Sequence, residues 1–133
     1  MFYKIYSDAA KKPNDTKTGI SCLIIFNHKQ LQFKKTINTV DNHEAEFKAC
    51  LFSLEQAQQL SDQSNSSDTI LFYTDSEILA NSLEKQYAKH YQTLVDEILI
   101  LENNFSLIIT NWIPESKNKG AHNLAQQALH LNE

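Results

Sequence analysis

The sequence predicts one α/β domain, residues 1–133, built on a five-stranded mixed sheet with helices against its faces. Three observations predict it. Strand-like segments follow one another three times before residue 38, with only short links between them. From His43 onward the apolar residues recur at helical spacing. After residue 69, strand-like and helix-like stretches alternate, as they do in strand–helix–strand units. A chain of 133 residues is long enough to bury a real core and short enough to be one domain.

Each element has its own warrant. Met1 to Ser7 alternates, with Phe2, Lys4 and Tyr6 on one face and Tyr3 and Ile5 on the other, so a first strand is expected to end near Asp8. Ala9 to Thr18 is polar and carries Pro13 and Asn14-Asp15, which is turn chemistry. Gly19 to Asn27 is rich in apolar and β-branched residues, as a buried strand is, and His28-Lys29 fits a hairpin turn. Gln30 to Ile37 alternates through Leu31, Phe33, Lys35 and Ile37 and predicts a third strand. A helix is expected from His43 to Leu60, with Asp41 or Asn42 as its N-cap and Ala45, Phe47, Cys50, Leu54 and Ala57 on its apolar side. Ser61 to Asp68 reads as a polar loop. Thr69 to Thr74 is nearly continuous apolar and predicts a central strand. Helices are expected over Ser76–Gln86 and Tyr91–Asn103, a strand over Phe105–Ile113, a turn over Pro114–Asn118 and a last helix over Lys119–Leu131.

Composition narrows the function. Hydrophobic residues make up 41% and charged residues 21%, an ordinary globular balance. No apolar run approaches the ~20 residues that a membrane helix needs. The start, Met1-Phe-Tyr-Lys-Ile5, shows no signal region, so a cytoplasmic monomer is expected, with Cys22 and Cys50 as buried thiols. Only Gly19 and Gly120 are glycines, which excludes a glycine-rich phosphate loop. No Cys–His pair has zinc-ligand spacing, and neither Ser7 nor Cys50 has the partners of a nucleophile. Trp112 and the tyrosines read as core and surface aromatics, and His28, His90 and His130 as surface residues. Every cation is lysine, and seven of the twelve lysines lie in residues 1–35 against two acids. The remaining chain is strongly acidic, with fourteen acids against five lysines. Such a chain is a poor non-specific ligand for nucleic acid, because Lys and Arg contacts to phosphate supply that affinity.

Three carboxylates stand out by position. Asp8 is expected to close the first strand, Asp75 closes the fourth, and Glu46 lies in the first turns of the long helix. If strands one and four are parallel neighbours, Asp8 and Asp75 end side by side, and a helix packed on the sheet can bring Glu46 to them. Clustered carboxylates repel one another unless a cation neutralises them, and an all-oxygen set suits Mg²⁺ or Mn²⁺. Each acid also has a plainer reading as a turn or helix cap, Asp75 above all, because it precedes Ser76.

These residues carry a family resemblance. Tyr6-Ser-Asp-Ala-Ala10 resembles the first-strand motif of type I ribonucleases H. Asp41-Asn-His-Glu-Ala-Glu-Phe47 is similar to their Thr-Asn-Asn-x-Ala-Glu-Tyr segment, and Tyr73-Thr-Asp-Ser76 to their Thr-Asp-Ser motif. Trp112-Ile-Pro-Glu-Ser-Lys-Asn118 followed by Ala121-His-Asn-Leu-Ala125 resembles their Trp-Val-Pro tail. The four motifs occur in family order between residues 2 and 130. The resemblance implies the ribonuclease H-like fold, with strand order 3-2-1-4-5. It also implies hydrolysis of the RNA strand of RNA–DNA hybrids by two divalent cations, Mg²⁺ or Mn²⁺. By the same resemblance Asp8, Glu46 and Asp75 would hold the metals, with His122 at the fourth ligand position. Asn42, His43 and Ser76 would bind substrate, and Glu44, at the variable position, would be a solvated acid of the first turn.

The departures from the family pattern are specific. His122 stands where the family has its fourth acid, exchanging a charged oxygen ligand for a nitrogen that suits Mn²⁺ better than Mg²⁺. His43 replaces an asparagine and Glu77 a glutamine. Lys11-Lys-Pro-Asn14 replaces a glycine-rich turn, the loop before the last helix is short and lacks histidine, and residues 76–103 carry only Lys85 and Lys89 where hybrid-gripping enzymes have a basic handle. Three functions therefore remain open: a ribonuclease H, a degenerate module that binds nucleic acid or protein without cutting, and a nuclease of the same fold with another substrate.

Overall fold

A computed structural model describes residues 2–61 and 68–131. Its sheet has five strands in the order β3-β2-β1-β4-β5, as the family resemblance implies. Strands β1 (Phe2–Lys11), β2 (Lys17–Phe26) and β3 (Lys29–Asn38) form an antiparallel meander. Strands β4 (Thr69–Thr74) and β5 (Leu107–Trp112) add to it in parallel, β4 beside β1. The helices are α1 (Asn42–Leu60), α2 (Glu77–Lys85), α3 (Gln92–Glu102) and α4 (Lys119–Leu129), and a 3-10 turn covers Glu115–Lys117.

Alternation along the strands divides the helices between the two faces of the sheet. Tyr3 and Ile5 of β1, Cys22 and Ile24 of β2 and Ile70 and Phe72 of β4 enter one core with Phe47, Cys50 and Leu54 of α1 and Val95 and Ile98 of α3. The opposite face is covered by α4. There Ala10 meets Ala125 and Leu129, and a Cβ added to Gly19 would lie 2.1 Å from the Ala125 carbonyl oxygen. The helix backbone therefore rests directly on β2, which only a residue without a side chain permits. Hydroxyls fasten it: Ser21 donates to the Ala121 carbonyl at 2.6 Å and Thr36 to the Ala128 carbonyl at 2.6 Å. Both cysteines are free and buried, as expected.

Four expectations shift, one of them the strand expected over Phe105–Ile113, which spans only Leu107–Trp112. The first strand does not end near Asp8. Antiparallel pairing with β2 continues to the rung Lys11↔Thr18, so Asp8 sits inside β1 and the link between the strands shrinks to residues 12–16. The hairpin between β2 and β3 turns at Asn27-His28, one residue earlier than expected, with both residues left-handed at φ 51° and 62°. Two consecutive positive φ values match the twist of the flanking strands. The last helix ends at Leu129, two residues early. The polar stretch 61–68, expected as a loop, lies outside the described residues except at its two ends. Among the described residues no helix is long and apolar enough to cross a membrane.

Candidate active site

Parallel pairing of β1 and β4 runs from Phe2↔Thr69 to Tyr6↔Tyr73, where the two rings stack 4.7 Å apart. Asp8 and Asp75 each lie two residues past that last rung, so the register sets them opposite each other where the two strands part. Glu46 comes from the second turn of α1. One carboxylate oxygen of each of Asp8, Glu46 and Asp75 lies within 4.8 Å of the other two.

The placement of Glu46 follows from how α1 starts. Asp41 caps the helix, its Oδ1 accepting from the Glu44 amide at 2.7 Å, while its Oδ2 accepts from the Tyr91 hydroxyl at 3.0 Å. Glu44 accepts from the Val40 amide and lies 3.6 Å from Lys48. It belongs to the cap and not to the acidic cluster. Ala45 and Phe47 are buried on either side of Glu46 and fix the helix against the sheet.

Burial and mutual repulsion set the electrostatics. Asp8 is 4% exposed. Burial and then the Asp75 charge push its carboxyl up to about 6, against weaker pulls from the Ala9 amide and from His122. Burial raises Glu46 well above the carboxylate range, and the charges of Asp8, Asp75 and Glu115 add to it. Its Oε1 is buried with no hydrogen-bond partner. Asp75 is raised as well, by burial first, and partly restored by Asn118. Three converging acids that each resist ionisation, one of them with a buried and unpartnered oxygen, fit a divalent cation as the missing partner. The donor set is wholly oxygen, which suits Mg²⁺ and Mn²⁺.

The other predicted residues fall in different places. His122, half-exposed in the first turn of α4, sets Nδ1 3.1 Å from Asp8 Oδ2. It touches the cluster through Asp8 but is not one of its three converging groups. Asn42 lines the same cleft, a hollow of about 230 Å³. His43 is exposed and meets the Tyr91 ring edge-on at 6.3 Å, away from the acids. Ser76, and not Asp75, caps α2, its Oγ accepting from the Leu79 amide at 3.2 Å. That frees the Asp75 carboxylate for the cluster.

Three residues of the site carry no assignment from sequence reasoning. Asn118 is buried, and its Nδ2 donates to the Ser7 carbonyl at 2.8 Å and to Asp75 Oδ2 at 3.1 Å. Its place in the tail motif was a signal for it. Trp112 donates its indole N–H to the Asp75 carbonyl at 3.2 Å. Glu115 lines the acidic cleft from the 3-10 turn, and no sequence feature set it apart from other turn acids.

Comparison with known proteins follows the same lines. Residues 7–128 match a family described as reverse transcriptase-like. The chain is 39% identical over 128 residues to the Enterococcus faecalis protein named "Putative hydrolase EbsB", covering 95% of this chain and 93% of that one. Among solved structures, it superposes on ribonuclease H1 of the archaeon Halobacterium salinarum with a TM-score of 0.86 at 19% identity, covering 97% and 98% of the two chains. It superposes on LC11-RNase H1, a protein isolated from compost and solved with an RNA/DNA hybrid, with a TM-score of 0.85 at 20% identity and 96% of each chain.

Proposed function

This chain belongs to the reverse transcriptase-like family and has the ribonuclease H fold, and from that premise we propose that it is a metal-dependent endoribonuclease hydrolysing the RNA strand of RNA–DNA hybrids. The observation that carries the reading is the convergence of one carboxylate oxygen from each of Asp8, Glu46 and Asp75 within 4.8 Å. These three would hold two divalent cations, Mg²⁺ or Mn²⁺, with His122 at the edge of the set as a nitrogen donor that favours Mn²⁺. Bound cations supply an activated water and stabilise the leaving 3′ oxygen. The chain does the positioning. Asp8, held in a paired strand, would be the most rigidly placed of the residues that hold the metals. Asn118 orients Asp75 through its 3.1 Å bond. Asn42, on the rim of the cleft, contacts the substrate, with His43 and Ser76 flanking it on the hybrid's path. The reading includes a monomer working in the cytoplasm, where Cys22 and Cys50 stay reduced.

One observation favours a second reading, a module that binds without cutting. His122 already sits beside Asp8 Oδ2, where a protonated imidazole neutralises one acid without a metal. Cleavage of a labelled hybrid, with Mn²⁺ or Mg²⁺, separates the two. Single-stranded RNA and duplex DNA serve as controls that identify a nuclease of another substrate class. Asp8→Asn is expected to lower hybrid cleavage on the order of 10³-fold, about 4 kcal/mol of barrier, while the fold persists. Full activity in that variant would overturn the site, and a folded wild type that cuts with neither ion favours the binding module. His122→Asp is expected to raise the Mg²⁺-supported rate roughly tenfold. An unchanged or lower rate removes His122 from the metal set.

A further inference from the structure

His122 adds no acidic oxygen to the cleft, yet a fourth acidic residue lines it beyond the three whose oxygens converge. Glu115 lines it together with Asp8, Glu46, Asp75 and His122. Its position is built. Asn118 holds the 3-10 turn against the site, bonding through its side chain to the Ser7 carbonyl and to Asp75 and through its amide to the Glu115 carbonyl at 2.9 Å. The same residue begins α4, since the His122 amide donates to the Asn118 carbonyl at 3.0 Å. Glu115 and His122 thus reach the cleft from the two sides of one buried asparagine.

Nothing cationic nearby occupies Glu115. No lysine among the described residues forms a salt bridge with it. Lys11, the lysine of the cleft, donates its ammonium to the carbonyls of Lys12 and Asp15. Lys117, on the same 3-10 turn, lines a different hollow beside Tyr6 and Leu23. Independently, the buried Oε1 of Glu46 has no partner and marks the cleft as a place for a cation.

We propose that Glu115 is a further carboxylate of this metal site, bringing from the 3-10 turn the negative charge that His122 does not bring from α4. The inference rests on the metal-dependent reading above. The repulsion that Glu115 exerts on Glu46 and Asp75 agrees with it, because a cation drawn by three charges is drawn harder by four.

The test is Mn²⁺ binding to the full chain, by calorimetry and by thermal shift, in wild type, Glu115→Gln, Glu115→Asp and Asp8→Asn. Glu115 is exposed, so its variants fold. Glu115→Gln is expected to weaken Mn²⁺ affinity roughly tenfold, and Glu115→Asp to restore most of it. Without metal, Glu115→Gln is expected to raise Tm by about 1–2 °C at neutral pH, because one repulsive charge is gone. A side chain that only supported the turn would not raise the metal-free Tm while weakening metal binding. Mn²⁺ binding that is lost in Asp8→Asn but unchanged in Glu115→Gln overturns the role of Glu115 alone. A wild type that binds no Mn²⁺ overturns that role and the metal-dependent reading together.

Discussion

The two faces of the sheet are packed by different means. Under α1 the contacts are large side chains, with Phe47, Leu54, Phe72, Ile5 and Tyr3 interdigitating in a dry core. Under α4 they are backbone against backbone, with Gly19 below, alanines at 121, 125 and 128 above, and hydroxyls of Ser21 and Thr36 fastening helix carbonyls. The first face is held by volume and the second by the absence of volume. Glu46 reaches the site from the bulky face and His122 from the close-packed face, while Asp8 stands in a strand both faces share. The difference teaches that the acids meet along a seam between two kinds of packing, where Asp8 is buried and Asp75 is still partly open.

The strongest way to break the contrast is to remove bulk from the α1 face. Phe47→Ala is expected to cost about 3–5 kcal/mol, because a fully buried ring leaves a cavity among side chains already in contact. Denaturant unfolding reads it, and a cost below about 1 kcal/mol would mean that this face is loosely packed. Adding bulk to the other face comes next. Gly19→Ala is expected to cost about 3 kcal/mol, because its Cβ would meet a helix backbone that cannot step aside locally. Its control is Gly120→Ala, whose Cβ would meet only the Leu23 side-chain end at 3.1 Å. That change is expected to stay within about 1 kcal/mol, helped by the better helix propensity of alanine. Equal costs at the two glycines would dissolve the contrast.

Apart from the Gly120 control, the smallest effect belongs to the seam. The folded Asp8 carboxyl titrates near 6, above its ordinary value of 3.8. Between about pH 4 and pH 6 the folded, metal-free protein therefore keeps a proton that the unfolded chain has released. Stability is greatest below that window and falls as pH rises through it, by about 1–3 kcal/mol for a shift of this size. Glu46 and Asp75 are shifted in the same direction and act with the same sign. Unfolding midpoints in chelator, measured from pH 4 to pH 7.5, are expected to decline less in Asp8→Asn than in wild type. Identical slopes would show that Asp8 carries no such strain.

Much of this arrangement was legible in the sequence, for physical reasons. Strand β4 reads off to the residue, because its apolar run is bracketed by the threonines Thr69 and Thr74 at its two ends. Strand β1 misled, because its far end is held by β2 and not by its own alternation, and pairing across a hairpin leaves no local mark at Ala9 or Ala10. The three acids were legible because they stand in motif order, Asp75 just past the end of β4 and Glu46 near the start of α1, while Asp8 lies within β1. Glu115 was not, because a glutamate after Pro114 has ordinary turn chemistry and gains its meaning only when Asn118 folds the turn back onto Ser7 and Asp75. Motif position marked His43 and Ser76, and the fold gives them contacts that the motif did not signal, with the Tyr91 ring and in the α2 cap.

The bond from Trp112 to the Asp75 carbonyl has a practical consequence. This is the only tryptophan in the chain, and its indole is about half-exposed at the end of β5. Light emitted by the unlabelled protein on excitation near the red edge of its absorption therefore comes from a single chromophore tethered to the backbone of a site residue. An event that shifts the backbone at Asp75 changes the surroundings of that indole, so the emission is a built-in optical gauge of movement where β4 ends.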